Sequence, residues 1–230
     1  MPLVRPAAIF FDLDGTLIDS APDLGAAADK MRTDRGLPSL ADSLYRPMAG
    51  AGARGMLKIA FEITPEHPDF LIMREEFFRN YEASIGAADA RTFAFDGVDD
   101  MLRSLEAIGL PWGIVTNKSK RFTEPLVALM PVLRGVCAVV SGDTTPHAKP
   151  HPAPLLEACR LASHTGKGLQ TIDPKQCWYL GDDKRDIDAG KAAGMTTIAV
   201  TWGYEGEHEL STWGADYVLH KPSELTWLLG

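Results

Sequence analysis

Ala7-Ala8-Ile9-Phe10-Phe11-Asp12-Leu13-Asp14-Gly15-Thr16-Leu17-Ile18-Asp19-Ser20 runs an almost wholly apolar stretch into two carboxylates one residue apart, followed at once by Gly-Thr. An apolar run that ends in a turn fits a buried central strand of a parallel sheet, here from about Ala7 to Phe11. Carboxylates just past such a strand lie where open α/β sheets bind ligands. Two acidic groups this close repel each other unless a positive charge stands between them. A divalent cation meets that need, and Mg²⁺ takes oxygen ligands while keeping water and phosphate oxygens in its shell. The same residues also read as a solvated Asp-Gly turn, so the rest of the chain has to separate the two.

Beyond Ser20 the pattern turns helical. Leu24, Ala27, Ala28 and Met31 share one helix face. The glycine-rich break Ala49-Gly50-Ala51-Gly52-Ala53-Arg54-Gly55 interrupts this region, after which Met56, Leu57, Ala60 and Phe61 resume helical spacing. Leu71, Glu75, Phe78 and Tyr81 mark a further helix. From Phe95 onward strands and helices alternate. Val98, Met101, Leu102, Leu105 and Ile108 form an amphipathic helix with Asp96 as its expected N-cap and Gly109 past its end. Strands are expected at 112–115, 136–140, 176–180, 196–200 and 217–219, with helices near 121–130, after Pro152, at 186–193 and near Glu224. This order predicts a doubly wound parallel sheet of the Rossmann-like type, with an α-helical insertion. The expected division is an α/β core of residues 1–18 and 94–230 and a helical cap of residues 19–93, able to act as a lid over the strand ends.

With 230 residues the chain can bury a core domain plus a modest insertion. A net charge of −8 argues against a nucleic-acid groove, which needs clustered Lys and Arg. A small phosphorylated ligand remains compatible, since it needs only a few local cations. Cys137, Cys159 and Cys177 are widely spaced in apolar sequence, as reduced core residues are. The uncharged run between Arg5 and Asp12 is too short for a secretory leader, and no stretch is long enough to span a membrane. The expected location is cytoplasmic.

Three later strand ends carry chemistry-bearing residues. Thr116-Asn117 closes Ile114-Val115-Thr116-Asn117, where a hydroxyl and backbone amides can donate to a phosphate oxygen; a turn or helix cap is the alternative. Lys149 lies in Ala148-Lys149-Pro150, a pattern equally open to a surface loop. Tyr179-Leu180-Gly181-Asp182-Asp183-Lys184-Arg185-Asp186 crowds three carboxylates into five residues, which is costly without a cation if they are buried together. Helix capping by Asp186 is the other explanation.

The series DLDGT, TN, K and GDxxxD, each after an apolar strand, resembles the four motifs of the haloacid dehalogenase-like hydrolases, and the resemblance runs essentially end to end. It implies Mg²⁺-dependent phosphatase chemistry. Asp12 would be the nucleophile that forms an aspartyl-phosphate, and Asp14 the acid and base that serves the leaving oxygen and then water. Asp14 would meet the metal through its carbonyl, and Gly15, Thr16, Thr116 and Asn117 would face the phosphate. Lys149 would neutralise phosphate charge and hold Asp12. The metal would sit on Asp12, Asp14 and Asp182, with Asp186 and Asp183 bonding its waters or the lysine. The insertion after DLDGT matches the position of the family's first-type cap. Within the family, the chain as a whole is similar to phosphoglycolate phosphatase-like enzymes. Finer segments, among them Gly-Ala-Arg-Gly-Met and Trp213-Gly214-Ala215-Asp216-Tyr217-Val218, resemble N-acetylmuramic acid 6-phosphate phosphatases. Sugar-phosphate mutases keep both carboxylates and stay open on motifs; a binding module of this fold would be expected to lose Asp12, Asp14 or Lys149.

Specificity should lie in the glycine-rich break. Gly50, Gly52 and Gly55 permit close backbone approach, and Arg54 offers a bidentate fork to a carboxylate unless it is a solvated or capping residue. Both substrate classes carry such a carboxylate. Trp202-Gly203-Tyr204 and the Glu-rich stretch after it fall beside the same strand ends, with no role assigned by the sequence.

Overall fold

The expected first strand is present as β1 (Ala8–Phe11), and every residue in it is buried. The computed structural model describes residues 5–163, 172–204 and 209–229. The other strands are β2 (Ile18–Asp19), β3 (Phe93–Ala94), β4 (Trp112–Val115), β5 (Ala138–Val140), β6 (Cys177–Gly181), β7 (Thr196–Val200) and β8 (Tyr217–Leu219). Helices are α1 (Ala21–Thr33), α2 (Asp42–Tyr45), α3 (Gly52–Phe61), α4 (Phe70–Ser84), α5 (Val98–Ala107), α6 (Lys120–Leu129), α7 (Ala153–Ala162), α8 (Lys184–Ala192) and α9 (Glu224–Leu229).

The main sheet is parallel, in the order β5-β4-β1-β6-β7-β8. Side chains alternate across it. Ile9 and Phe11 face a core shared with α5, α6 and α9, built on Val98, Leu102, Leu126 and Leu225. Ala8 and Phe10 face the other layer, where Leu155, Cys159 and Ala189 of α7 and α8 pack on Tyr179. Both faces are therefore covered, which is why the strands read as continuous apolar runs. Register does the positioning: Phe11 pairs with Ile114 of β4 and Leu180 of β6. Asp12, Thr116 and Asp182 thus leave neighbouring parallel strands at the same edge.

Two short strands escape the sequence pattern. β2 and β3 pair antiparallel, Ile18 with Ala94 and Asp19 with Phe93, where the chain leaves the sheet and returns to it. The carboxylate of Asp23 seals this crossing by accepting from the backbone N–H of Arg91 and Thr92. Between them α1, α3 and α4 build a separate apolar cluster. Leu24, Ala27, Ala28 and Met31 are all buried in it, as the spacing predicts. In α4 the predicted face is rotated: Phe70, Phe77 and Tyr81 are buried, while Leu71 is 63% exposed. The N-cap of α5 is Gly97 at φ 83° rather than Asp96, because the chain enters that helix through a left-handed residue open to glycine.

Candidate active site

Lys149 organises the strand-end cluster. Its ammonium lies 2.8 Å from Asp12 Oδ1 and 2.7 Å from Asp186 Oδ1, and 2.9 Å from both the Val115 carbonyl and the Tyr179 hydroxyl. The backbone that carries it is fixed by Asn117, whose side chain accepts from Lys149 N–H at 2.9 Å and donates to its carbonyl at 3.0 Å. Asn117, expected at the phosphate, is therefore occupied as the clamp of the lysine loop. Burial works against the lysine's charge, but Asp12 and Asp186 outweigh it and hold the ammonium protonated beyond the usual range.

Asp182 sits in a slot cut by two glycines. A Cβ on Gly15, which has φ +84°, would stand 2.0 Å from Asp182 Oδ2, and one on Gly203 would stand 2.5 Å from the same atom. The carboxylate accepts from Thr16 Oγ1 at 3.2 Å and from Tyr204 N–H at 2.9 Å. Gly15 and Thr16 thus shape and hold the acidic cluster. Trp202 borders it as well, its indole N–H donating to the Thr16 carbonyl at 2.9 Å; the Glu-rich stretch that follows lies outside the described residues.

Asp183 and Asp186 divide their work by a capping box at the start of α8. Asp183 is the cap and accepts from the Arg185 N–H, and Asp186 Oδ2 accepts from the Asp183 N–H at 3.2 Å. The other oxygen of Asp186 is left for Lys149. Asp183, expected near the lysine or a metal-bound water, instead turns both oxygens to the Arg185 guanidinium at 2.8 Å. That arginine also donates to the Gly50 carbonyl at 2.8 Å, joining α8 to the glycine-rich loop.

Oxygen atoms of Asp12, Asp182 and Asp186 lie within 4.8 Å of one another. One lysine cannot balance three carboxylates. Burial, opposed by Lys149 and reinforced by Asp186, pushes Asp12 up to about 7. Burial, with Asp12 and Asp186 adding to it, raises Asp182 well above the usual carboxylate range. Asp12 Oδ1 is buried, and among the described residues its close polar partner is the Lys149 ammonium at 2.8 Å, itself shared with Asp186. A hard, all-carboxylate donor set that shares one ammonium fits Mg²⁺. The sign of the consequence is fixed. A carboxyl raised from 3.8 to about 7 binds a proton in the native state that the unfolded chain has released. The Asp12 contribution to stability in chelator is therefore expected to fall as pH rises from about 4 to 7, and the raised Asp182 adds to the decline. Added Mg²⁺ should restore stability most at the alkaline end, where no proton competes. Thermal melts across pH with and without the ion check this.

Asp14 lines the same cavity as Asp12 but is held by other partners. Its Oδ1 accepts from the Ser20 hydroxyl and lies 3.1 Å from the ammonium of Lys118. Thr116 is buried and its hydroxyl accepts from Lys118 N–H at 3.1 Å. No sequence pattern singles out Lys118, Tyr81, Tyr179 or Ser20 for the site. The Tyr204 hydroxyl accepts from Ser20 N–H at 3.0 Å and from Ala21 N–H at 3.1 Å, at the start of α1.

Above the carboxylates lies a cavity of about 760 Å³. Its far wall comes from the insertion: Met48 to Arg54, then Phe70, Phe77, Phe78 and Tyr81. Arg54 is exposed on this wall and makes no hydrogen bond or ion pair with the described residues. Gly50 lines the cavity, whereas Gly55 serves packing: its Cβ would stand 2.3 Å from the Met48 carbonyl.

Residues 9–200 match the haloacid dehalogenase-like hydrolase family. Over 222 residues the chain is 40% identical to the phosphoglycolate phosphatase of Xanthomonas campestris pv. campestris (strain 8004), covering 96% of this chain and 95% of the relative. It is 37% identical to the N-acetylmuramic acid 6-phosphate phosphatase of Pseudomonas putida, again over 96% of this chain and 95% of the relative. The crystal structure of a predicted phosphoglycolate phosphatase from Haemophilus somnus 129PT superposes with TM-score 0.81 at 24% identity, covering 99% of this chain and all of that one.

Proposed function

Because the chain belongs to the haloacid dehalogenase-like hydrolase family, we propose that it hydrolyses a small phosphomonoester through a phosphoryl group carried on Asp12. The observation that carries this reading is the Asp12 carboxylate at the sheet edge, its Oδ1 held 2.8 Å from the buried Lys149 ammonium and its proton affinity pushed up by burial. An Asp12 oxygen attacks phosphorus, the bond to the ester oxygen breaks with its electron pair, and Asp14 gives that oxygen a proton. Water then attacks the same phosphorus while Asp14 takes its proton. The bond to Asp12 breaks, freeing phosphate and the carboxylate. Lys149 offsets charge on Asp12 and on the phosphoryl oxygens, and Asp186 with Tyr179 keeps it in place. Thr116, with the backbone amides of its loop, faces the phosphate oxygens. Mg²⁺, held by Asp12, Asp182 and the Asp14 carbonyl, supplies Lewis-acid stabilisation of the transferring phosphoryl group when bound.

Residues 19–93 serve as the cap and residues 1–18 and 94–230 as the catalytic core, with the β2–β3 crossing as the joint. The substrate carries a carboxylate that Arg54 receives. Phosphoglycolate satisfies that chemistry and is the substrate named for the Xanthomonas relative. A specific observation favours a second reading: about 760 Å³ with an aromatic wall is ample for a sugar-sized ligand and far more than a two-carbon acid fills. N-acetylmuramic acid 6-phosphate has both the size and the carboxylate. Phosphate release from the two esters, measured side by side with Mg²⁺, decides between them. Arg54→Ala is expected to lower kcat/KM for the preferred ester by about 10- to 100-fold, the worth of a charge-assisted pair. Hydrolysis of p-nitrophenyl phosphate, which has no carboxylate, should barely change. Equal losses on both substrates would remove Arg54 from this role.

A further inference from the structure

We propose that Lys118 is a positioning residue that fixes the orientation of Asp14 and makes it depend on the helical insertion through Tyr81. The proposal rests on Asp14 as the proton-transferring group. Lys118 is a lysine buried to 8% side-chain exposure outside the Lys149 cluster, and burying an ammonium is costly unless it is paired. Its backbone belongs to the core: its N–H donates to Thr116 Oγ1, and its carbonyl accepts from Gly142 N–H at 2.8 Å. Its side chain reaches the other way. The ammonium lies 3.1 Å from Asp14 Oδ1 and donates to the Tyr81 hydroxyl at 2.9 Å.

Tyr81 comes from α4 and is itself immobilised, stacked on Phe77 at 6.3 Å between ring centroids and tilted against Phe122 at 5.2 Å. The Ser20 hydroxyl, at the start of the insertion, adds a second donor to Asp14 Oδ1. One oxygen of Asp14 is thus pinned by two donors, while no described residue bonds Oδ2. Pinning Oδ1 leaves Oδ2 as the atom that exchanges a proton with the leaving oxygen and with water. Both restraints run through contacts with the insertion, so Asp14 is aimed only when the insertion is seated over the core. Binding geometry and proton transfer are then assembled by one closure.

The test compares Lys118→Met, Tyr81→Phe and Asp14→Asn on p-nitrophenyl phosphate, whose phenolate leaves unassisted, and on β-glycerophosphate, whose alkoxide needs a proton. For Lys118→Met on p-nitrophenyl phosphate, kcat should fall about 100-fold with KM falling alongside it, because water attack now limits turnover. On rapid mixing, a burst of nitrophenolate should then appear. On β-glycerophosphate, kcat/KM should fall by about 100-fold. Tyr81→Phe removes only the hydroxyl and should show the same pattern at about tenfold; it carries the test if Lys118→Met does not fold. Equal loss of kcat/KM on both esters without a burst, or wild-type kinetics, would overturn the proposal. Asp14→Asn separates the two levels. If it shows the ester-dependent pattern and the Lys118 and Tyr81 variants do not, only the positioning role falls. If it shows none, the role of Asp14 falls and the proposal with it.

Discussion

Asp12→Asn is expected to lower phosphate release by at least about 10⁴-fold, as loss of a covalent nucleophile does, while leaving the protein folded. The amide is nearly isosteric, so the slot between Lys149 and the β1 end stays filled. Its carbonyl oxygen lacks the charge needed to attack phosphorus. Stability should not suffer in chelator, because burial pushes the wild-type carboxyl up to about 7 and its Lys149 partner keeps Asp186. Replacing the carboxyl with a neutral group relieves repulsion from Asp182 and Asp186. The combined outcome, activity lost and melting temperature unchanged or raised without Mg²⁺, separates a nucleophile from a fold-determining carboxylate. Assays on p-nitrophenyl phosphate together with thermal melts measure both halves.

Lys149→Met should do the opposite to stability. It leaves Asp12 and Asp186 buried without their shared cation, and breaking a buried pair in this way costs about 3–5 kcal/mol. In a domain of this size each kcal/mol moves the midpoint by about 2–4 °C, so a drop of roughly 10 °C is expected. Tyr179 and the Val115 carbonyl lose a donor at the same time. Activity should fall by about 10³-fold or more, since the cation that faces the transferring phosphoryl group is gone. Calorimetry and kcat on the same samples check this. A stable, active Lys149→Met protein would mean that the carboxylates are balanced from elsewhere.

The contrast between these two substitutions follows from what sequence can and cannot carry. Strands β1, β4, β6 and β7 are legible because parallel strands covered on both faces are nearly unbroken apolar runs, and β1, β4 and β6 each run into a polar residue of the site. The two-residue strands β2 and β3 are not legible, since no periodicity exists over two residues. Leu71 and Glu75 point to an exposed stripe of α4, while Phe78 and Tyr81 of the same expected face do pack inward, because a polar helix leaves several faces nearly equivalent until a partner is placed against it. The Asp-x-x-Asp spacing of Asp183 and Asp186 did hold the signal for a reciprocal cap, and read that way it separates their roles. Asn117 looked like a phosphate donor because its strand-end position says nothing of a loop returning 32 residues later to be clamped. Lys118 and Tyr81 lie 37 residues apart, and Ser20 and Tyr204 lie 184 apart. Only the fold brings such pairs together.

The most direct test is to quench the Asp14→Asn enzyme in acid during turnover of p-nitrophenyl phosphate and map the phosphorylated peptide by mass spectrometry. A phosphoryl group on the carboxylate of Asp12 is expected, because water attack is slowed and the covalent species accumulates. A phosphoryl group on any other residue, or none while nitrophenolate is being released, would contradict Asp12 as the nucleophile.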